Sequence, residues 1–242
     1  VHTGMDREET VRLFHKYNFL AIPVVDLENR LVGIVTIDDA VDVMQEETTE
    51  DFEKMAAMAP SEKPYLKTSF WEHGLHRIPW LFILMVSGMI NGQILEKNEA
   101  AFLAYPLLVS FIPMLTDTGG NVGSQSSTLM IRGMTLGEIK FSDFFKVVFK
   151  ESATSLLMGI ALSAVNFLRV YLVYKDFTSA LVLALAMSAT IFMAAILGGI
   201  LPLVAKKLKI DPAIMAAPLI TTIVDAAALI IYFFIATSLL PM

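Results

Sequence analysis

A single carboxylate, Asp225, stands in the stretch PLITTIVDAAALIIYFFI (residues 218–235), which contains no basic residue. The stretch is apolar enough to sit in a bilayer. A charged side chain at that depth costs roughly 2.5–3.5 kcal/mol on insertion scales, so it faces water, an ion or a polar partner. Two chemistries fit an isolated membrane carboxylate: coordination of a hydrated cation, or carriage of a proton. A carboxylate hydrogen-bonded to another span is the plain structural reading. No Lys or Arg lies at matching depth in another apolar stretch, which argues against a simple buried ion pair. One carboxylate cannot strip Mg²⁺, an ion that dehydrates reluctantly, but one or two with carbonyls can hold it with its waters. A two-fold dimer would bring two copies of Asp225 to one axis. Pro218 and the Thr221–Thr222 pair, one to two turns earlier, are expected to loosen the helix and offer a carbonyl to the ion.

A second polar constellation is PMLTDTGGNVGSQSST (residues 113–128), in which Asp117, Gly119, Gly120, Asn121, Gly123 and Gln125 are interspersed with serines and threonines. At membrane depth such a segment must be satisfied by protein or line a wet cavity. Its glycines permit close helix approach, and its amides and hydroxyls suit a hydrated cation. Gly119, Gly120, Asn121, Gly123 and Gln125 are therefore candidate pore-lining residues. A tight, polar helix–helix contact is the competing reading.

A third cluster is acidic: Asp38, Asp39, Asp42, Glu46, Glu47, Glu50, Asp51 and Glu53 fall in what reads as one helix. Like charges at i,i+4 destabilise a bare helix. A solvated face explains such a run, and so does a divalent-cation sensor built from oxygen ligands, in which the bound ion relieves the repulsion.

The elements that must position these groups follow from composition. The 242 residues are 55% hydrophobic and 17% charged, and the mean hydropathy of +0.63 is too high for an ordinary soluble domain. Charge is concentrated in residues 1–77; residues 78–242 contain five apolar stretches, roughly 78–95, 101–115 with a polar extension, 145–173, 179–205 and 212–240. The second is short unless it continues through the glycine-rich motif to residue 131; the other four are long enough to cross about 30 Å of hydrocarbon. Lys and Arg cluster after the second stretch (Arg132, Lys140, Lys146, Lys150) and after the fourth (Lys206, Lys207, Lys209). That bias puts the N-terminal segment in the cytoplasm and, with five spans, the C-terminus outside. Arg169 and Lys175, after the third stretch, are a partial exception.

Ahead of the apolar region, AIPVVD (21–26) and LVGIVT (31–36) read as two strands around a polar turn. An amphipathic helix is expected over residues 10–16. A second, acidic helix is expected to start at Asp38 and Asp39 as cap and first-turn acids and to end before Pro60 and Pro64. No N-terminal stretch reads as a signal peptide, and a start at Val rather than Met fits a piece of a longer chain. The absence of cysteine excludes disulfides and thiolate metal sites, and a formal charge of −6 argues against nucleic acid. His2, His15, His73 and His76 are too scattered for a metal site, and His73 and His76 fit a membrane interface beside Trp71 and Trp80. There is no glycine-rich phosphate loop and no Ser/His/Asp arrangement, so an enzyme is not expected.

The segment KYNFLAIPVVDLENRLVGIVTIDDAVDVMQEETTEDFEKM, the motif TDTGGNVGSQSSTLMIRGM and the stretch IDPAIMAAPLITTIVDAAALIIYF together resemble the MgtE family of magnesium channels and transporters, over nearly the whole chain. The resemblance implies a mainly α membrane protein, with five transmembrane helices per subunit preceded by a small α/β CBS module and an acidic connecting helix. It divides the chain into residues 1–37 (second CBS module), 38–76 (acidic plug helix and interfacial segment) and 77–242 (pore domain). It implies a homodimer in the plasma membrane among lipids, with Mg²⁺ both transported and regulatory; oxygen ligands also suit Mn²⁺, Co²⁺ and Ca²⁺ as candidate ions. A nucleotide is a candidate ligand of the CBS segment. In the pore, Asp225 and the Thr221 backbone would hold the hydrated ion. The family's sensor ligands map onto Asp6, Asp39, Asp42, Glu47, Glu50 and Asp51, with Asp211 at the mouth of the last span. Asn18 departs from the family pattern, which often has Asp there; Ala226–Ala228 stand where a glycine is expected, and the first CBS module and acidic N-domain have no counterpart in this chain. The function implied is an inward, Mg²⁺-gated Mg²⁺ channel. Proton-coupled divalent transport and a non-transporting Mg²⁺ sensor are the alternatives.

Overall fold

The computed structural model describes residues 1–61 and 63–240. The first element, α1 (Arg7–Tyr17), starts where the Asp6 carboxylate accepts from the backbone N–H of Glu8 (2.8 Å) and Glu9 (3.4 Å). It ends at Asn18, whose φ of 53° is left-handed. Asn tolerates that conformation better than most side chains, which gives the residue at this position a local structural role. Strands β1 (Ala21–Val25) and β2 (Leu31–Thr36) pair antiparallel, Ile22 facing Val35. The turn between them is held by Asp26, which accepts from Glu28 and Arg30 N–H at 3.0 and 2.8 Å. The acidic helix α2 (Ile37–Met55) follows without a loop. Its cap is Thr36 rather than Asp38 or Asp39. Asp39 instead reaches back, its Oδ2 accepting from Thr36 Oγ1 (2.6 Å) and Thr36 N–H (3.2 Å). Phe14, Ile22 and Ala40 form the small core of this helix–strand–strand–helix unit.

Six helices follow: α3 (Phe70–Lys97), α4 (Glu99–Ala104), α5 (Leu107–Thr135), α6 (Phe144–Tyr174), α7 (Phe177–Lys207) and α8 (Ala217–Leu239). Of these, α3, α6, α7 and α8 are long and apolar enough to cross a membrane. The 29 residues of α5 reach about 43 Å at 1.5 Å per residue, but its polar motif keeps it out of the apolar set. The motif is helical throughout and continues the apolar residues 107–112 within α5, while residues 101–104 at the start of the expected stretch belong to the separate short α4.

The bundle core lies between α5, α7 and α8, with Leu115, Val122, Leu183, Ile191, Ala194, Ile220 and Val224 all buried. Tyr232 is fully buried, and its hydroxyl donates to the Leu108 carbonyl at 2.9 Å, tying α8 to α5. Helix α6 is polar on its inner face. Val147, Glu151, Ser155, Gly159, Ser163, Asn166 and Val170, spaced three or four apart, are buried, while Leu157, Ile160 and Val165 point outward. In contrast, α3 buries none of its residues against the rest of the chain.

The last apolar stretch is not one helix. A 3₁₀ turn (Pro212–Met215) precedes α8, and Pro218 sits in the first turn of α8, where a missing N–H costs nothing. The expected loosening near Asp225 is therefore absent: α8 is unbroken through it, and both the Thr221 and Thr222 hydroxyls donate to the Pro218 carbonyl at 3.0 and 2.9 Å.

Candidate functional site

Asp225 lies half-buried about two turns into α8. Its carboxylate is near enough to Asp117 of α5 for the two to repel each other. Asp117 in turn accepts from Asn121 Nδ2 at 3.2 Å. Among the described residues, no Lys, Arg or His forms an ion pair with either acid.

The glycines of α5 create this proximity. A Cβ on Gly119 would lie 2.7 Å from Thr190 and 2.9 Å from Val224; on Gly123 it would lie 2.7 Å from Ile220. Gly120 faces Thr221 at 3.0 Å in the same sense. All three are buried against α7 and α8. Another face of α5 carries the exposed side chains Asp117, Asn121, Gln125 and Thr128, spaced three or four apart. Asn121, Ser124, Gln125, Thr128 and Leu129 line an open groove of about 640 Å³. Thus the glycines seat the helix and the amides face the groove. Asp117, Ser124 and Thr128 were not among the expected site residues, although the i,i+4,i+8 spacing of Asp117, Asn121 and Gln125 is visible in the sequence.

The acidic residues of α2 have different surroundings. Asp6 and Asp39 serve helix starts, and the hydrogen bonds from Thr36 hold the Asp39 carboxyl below the usual range. Asp42 is exposed. Arg7 pairs with Glu46 (3.1 Å) and Glu47 (3.4 Å). The Lys54 ammonium bridges Glu50 (2.5 Å) and Asp211 (2.6 Å), docking the end of α2 on the turn before α8. Asp211 also caps that turn, accepting from Ala213 N–H at 2.9 Å. Burial works against the charged lysine, but its hydrogen bonds to Asp211 and Glu50 outweigh burial and hold its pKa above the ordinary lysine value. Burial pushes Asp51 up to about 6, with repulsion from Asp211 and Glu8 adding to it. Glu47 is raised too, by burial and then by Glu50. Among the described residues no three His, Asp or Glu side chains converge as a ligand set.

Four helices long and apolar enough to cross a membrane, with the polar α5 packed among them, define a multi-pass membrane protein. Two family models match: the divalent cation transporter model MgtE over residues 112–235, and the CBS domain over residues 1–46. The chain belongs to the MgtE family of divalent cation transporters. It is 39% identical over 242 residues to the magnesium transporter MgtE of Thermus thermophilus, covering 99% of this chain and 53% of that protein. It is 37% identical over 233 residues to the Bacillus subtilis magnesium transporter MgtE (96% and 51%). With the Enterococcus faecalis magnesium transporter MgtE, identity is 32% over 240 residues (98% and 52%). The chain therefore spans about half the length of these relatives.

Proposed function

We propose that this chain is the membrane part and second CBS module of a Mg²⁺ channel that admits hydrated Mg²⁺ to the cytoplasm. The carrying observation is a half-buried carboxylate, Asp225, within electrostatic reach of Asp117, neither of which forms an ion pair among the described residues. Two carboxylates and neighbouring amides suit an ion that keeps its water, because Mg²⁺ sheds its shell reluctantly. The driving force is the membrane potential, about 4.6 kcal/mol per 100 mV for a divalent ion. Binding at the groove must be weak enough to release.

In this reading α3, α5, α6, α7 and α8 are the five spans, the N-terminus is cytoplasmic and the C-terminus is outside. Residues 1–37, 38–76 and 77–242 serve as CBS module, connecting segment and pore domain. A homodimer places two Asp225 side chains, with the Thr221 backbone nearby, around one path. Asp6, Asp39, Asp42, Glu47, Glu50, Asp51 and Asp211 sense cytosolic Mg²⁺ and close the path when it is abundant. Their oxygen donors are of the right type for that ion, and Asp51, raised first by burial and then by the nearby acids Asp211 and Glu8, sits where a bound cation would relieve repulsion.

Patch recording of the reconstituted protein tests the proposal, with Mg²⁺ varied on each side. It predicts a voltage-driven inward Mg²⁺ current that shuts on raising cytosolic Mg²⁺. A flux that follows the proton gradient instead would establish proton coupling, and no flux at all would leave a sensor.

A further inference from the structure

The inner face of α6 carries one carboxylate, Glu151, which is 7% exposed. Its Oε2 accepts a hydrogen bond from Ser126 Oγ of α5 at 2.7 Å, and Ser126 is buried as well. Among the described residues no Lys, Arg or His pairs with Glu151. Burying a carboxylate in a membrane bundle is costly where an apolar side chain would fill the space. The site is nonetheless fitted around it. A Cβ on Gly199 of α7 would meet Glu151 Cγ at 2.9 Å and Val147 at 3.3 Å. A Cβ on the preceding Gly198 would meet the Gly123 carbonyl oxygen at 2.3 Å and Ser126 Cβ at 2.9 Å. Two successive glycines therefore seat Glu151 on one side and the 123–126 turn of α5 on the other. That turn presents Ser124 and Gln125 to the groove.

We infer that Glu151 is a positioning residue for the conduction path: through Ser126 it fixes the turn of α5 that carries Ser124 and Gln125. The inference rests on the conduction reading for its functional meaning, but the anchoring itself can be read without transport. The chain has no cysteine, so Gln125→Cys provides a unique thiol. Its rate of modification by a charged, water-borne methanethiosulfonate is measured in the full chain with Glu151, Glu151→Gln or Glu151→Leu. Ser238→Cys, at the far end of α8, is the control for the overall fold.

Glu151→Gln retains an acceptor oxygen and should leave the Gln125→Cys rate within about twofold, whereas Glu151→Leu should change it by about tenfold, the order expected when a buried donor loses a charged acceptor. The control rate should stay constant. Mg²⁺ flux should fall in the Leu variant and recover in the Gln variant. An unchanged rate in Glu151→Leu, or a Gln variant as altered as the Leu one, overturns the inference. If the Leu variant also moves the control, Ser126→Ala decides: removing the donor should shift the Gln125→Cys rate in the same direction, and no shift overturns the inference. Should the parent protein pass no Mg²⁺ while the thiol rates change as stated, the conduction reading falls and the anchor stands.

Discussion

Two groups of carboxylates in this molecule share a chemistry and differ in what completes them. On α2 and the turn before α8, Glu50 and Asp211 share the Lys54 ammonium, and Glu46 and Glu47 share Arg7. On α5 and α8, Asp117 and Asp225 approach each other without any such partner among the described residues. The first group is compensated by the chain, which gives it a docking role even before an ion binds. The second has no such ion pair among the described residues, and in the proposed function its compensation comes from a mobile cation. On the proposed function, whether an acid is tethered to a cation separates a latch from a passage, although both are groups of carboxylates.

The sharpest way to break the contrast is to give the membrane pair a cation of its own. Asp117→Lys should lower Mg²⁺ flux in liposomes by about a hundredfold or more, since a fixed positive charge near Asp225 opposes a divalent ion by several kcal/mol even at an effective dielectric of about 20. Survival of flux would mean that the pair does not face the ion. The converse change removes the cation from the latch. Lys54→Met should free the end of α2, and limited proteolysis in residues 56–61 should speed up about tenfold without Mg²⁺, consistent with losing two charge-assisted hydrogen bonds. Added Mg²⁺ should restore protection, and equal cleavage in both proteins would show that Lys54 does not hold the helix.

A smaller effect concerns pH. The Asp51 pKa is raised to about 6 in the docked state, so docking is favoured by its protonation. That contribution is complete below the ordinary carboxyl pKa of 3.8 and is lost as pH rises through about 6. Hydrogen exchange in α2 should accordingly become faster between pH 5 and pH 7 beyond the intrinsic chemical trend. Asp51→Asn should flatten this excess; an unchanged profile would remove Asp51 from the latch. The smallest effect is expected at Arg7, whose ion pairs are exposed. Arg7→Ala should change stability by about 0.2–1 kcal/mol, visible as a slight shift in the thermal unfolding of the N-terminal unit.

The strands and helices of the N-terminal unit are legible because β-branched runs and turn residues act locally: AIPVV and LVGIVT form β1 and β2, and Asp26 holds the turn. Asp38 and Asp39 are first-turn acids of α2 as expected, but the cap is Thr36, because the Asp39 carboxylate reaches back to its hydroxyl and N–H. Asp225 stood out because nothing around it is charged. Asp117 stands out as the carboxylate of the polar motif, but nothing local places it near Asp225, and Glu151 beside Lys146 and Lys150 reads as the rim of a loop. Neither the Lys54–Asp211 bridge, 157 residues apart, nor the notch at Gly198 and Gly199 has a local signature. Both arise from helix packing, which periodicity does not specify.

The central claim is that the unpaired membrane carboxylates handle a divalent cation. The most direct measurement is voltage-driven Mg²⁺ uptake into liposomes by the parent protein and by Asp225→Asn, at equal pH on both sides and with the folded state checked by size exclusion. Asn keeps the shape and removes the charge. Uptake by the variant is predicted to fall by about a hundredfold, the order set by losing one charge-assisted contact and one charge of attraction. Uptake and ion selectivity equal to those of the parent would contradict the account.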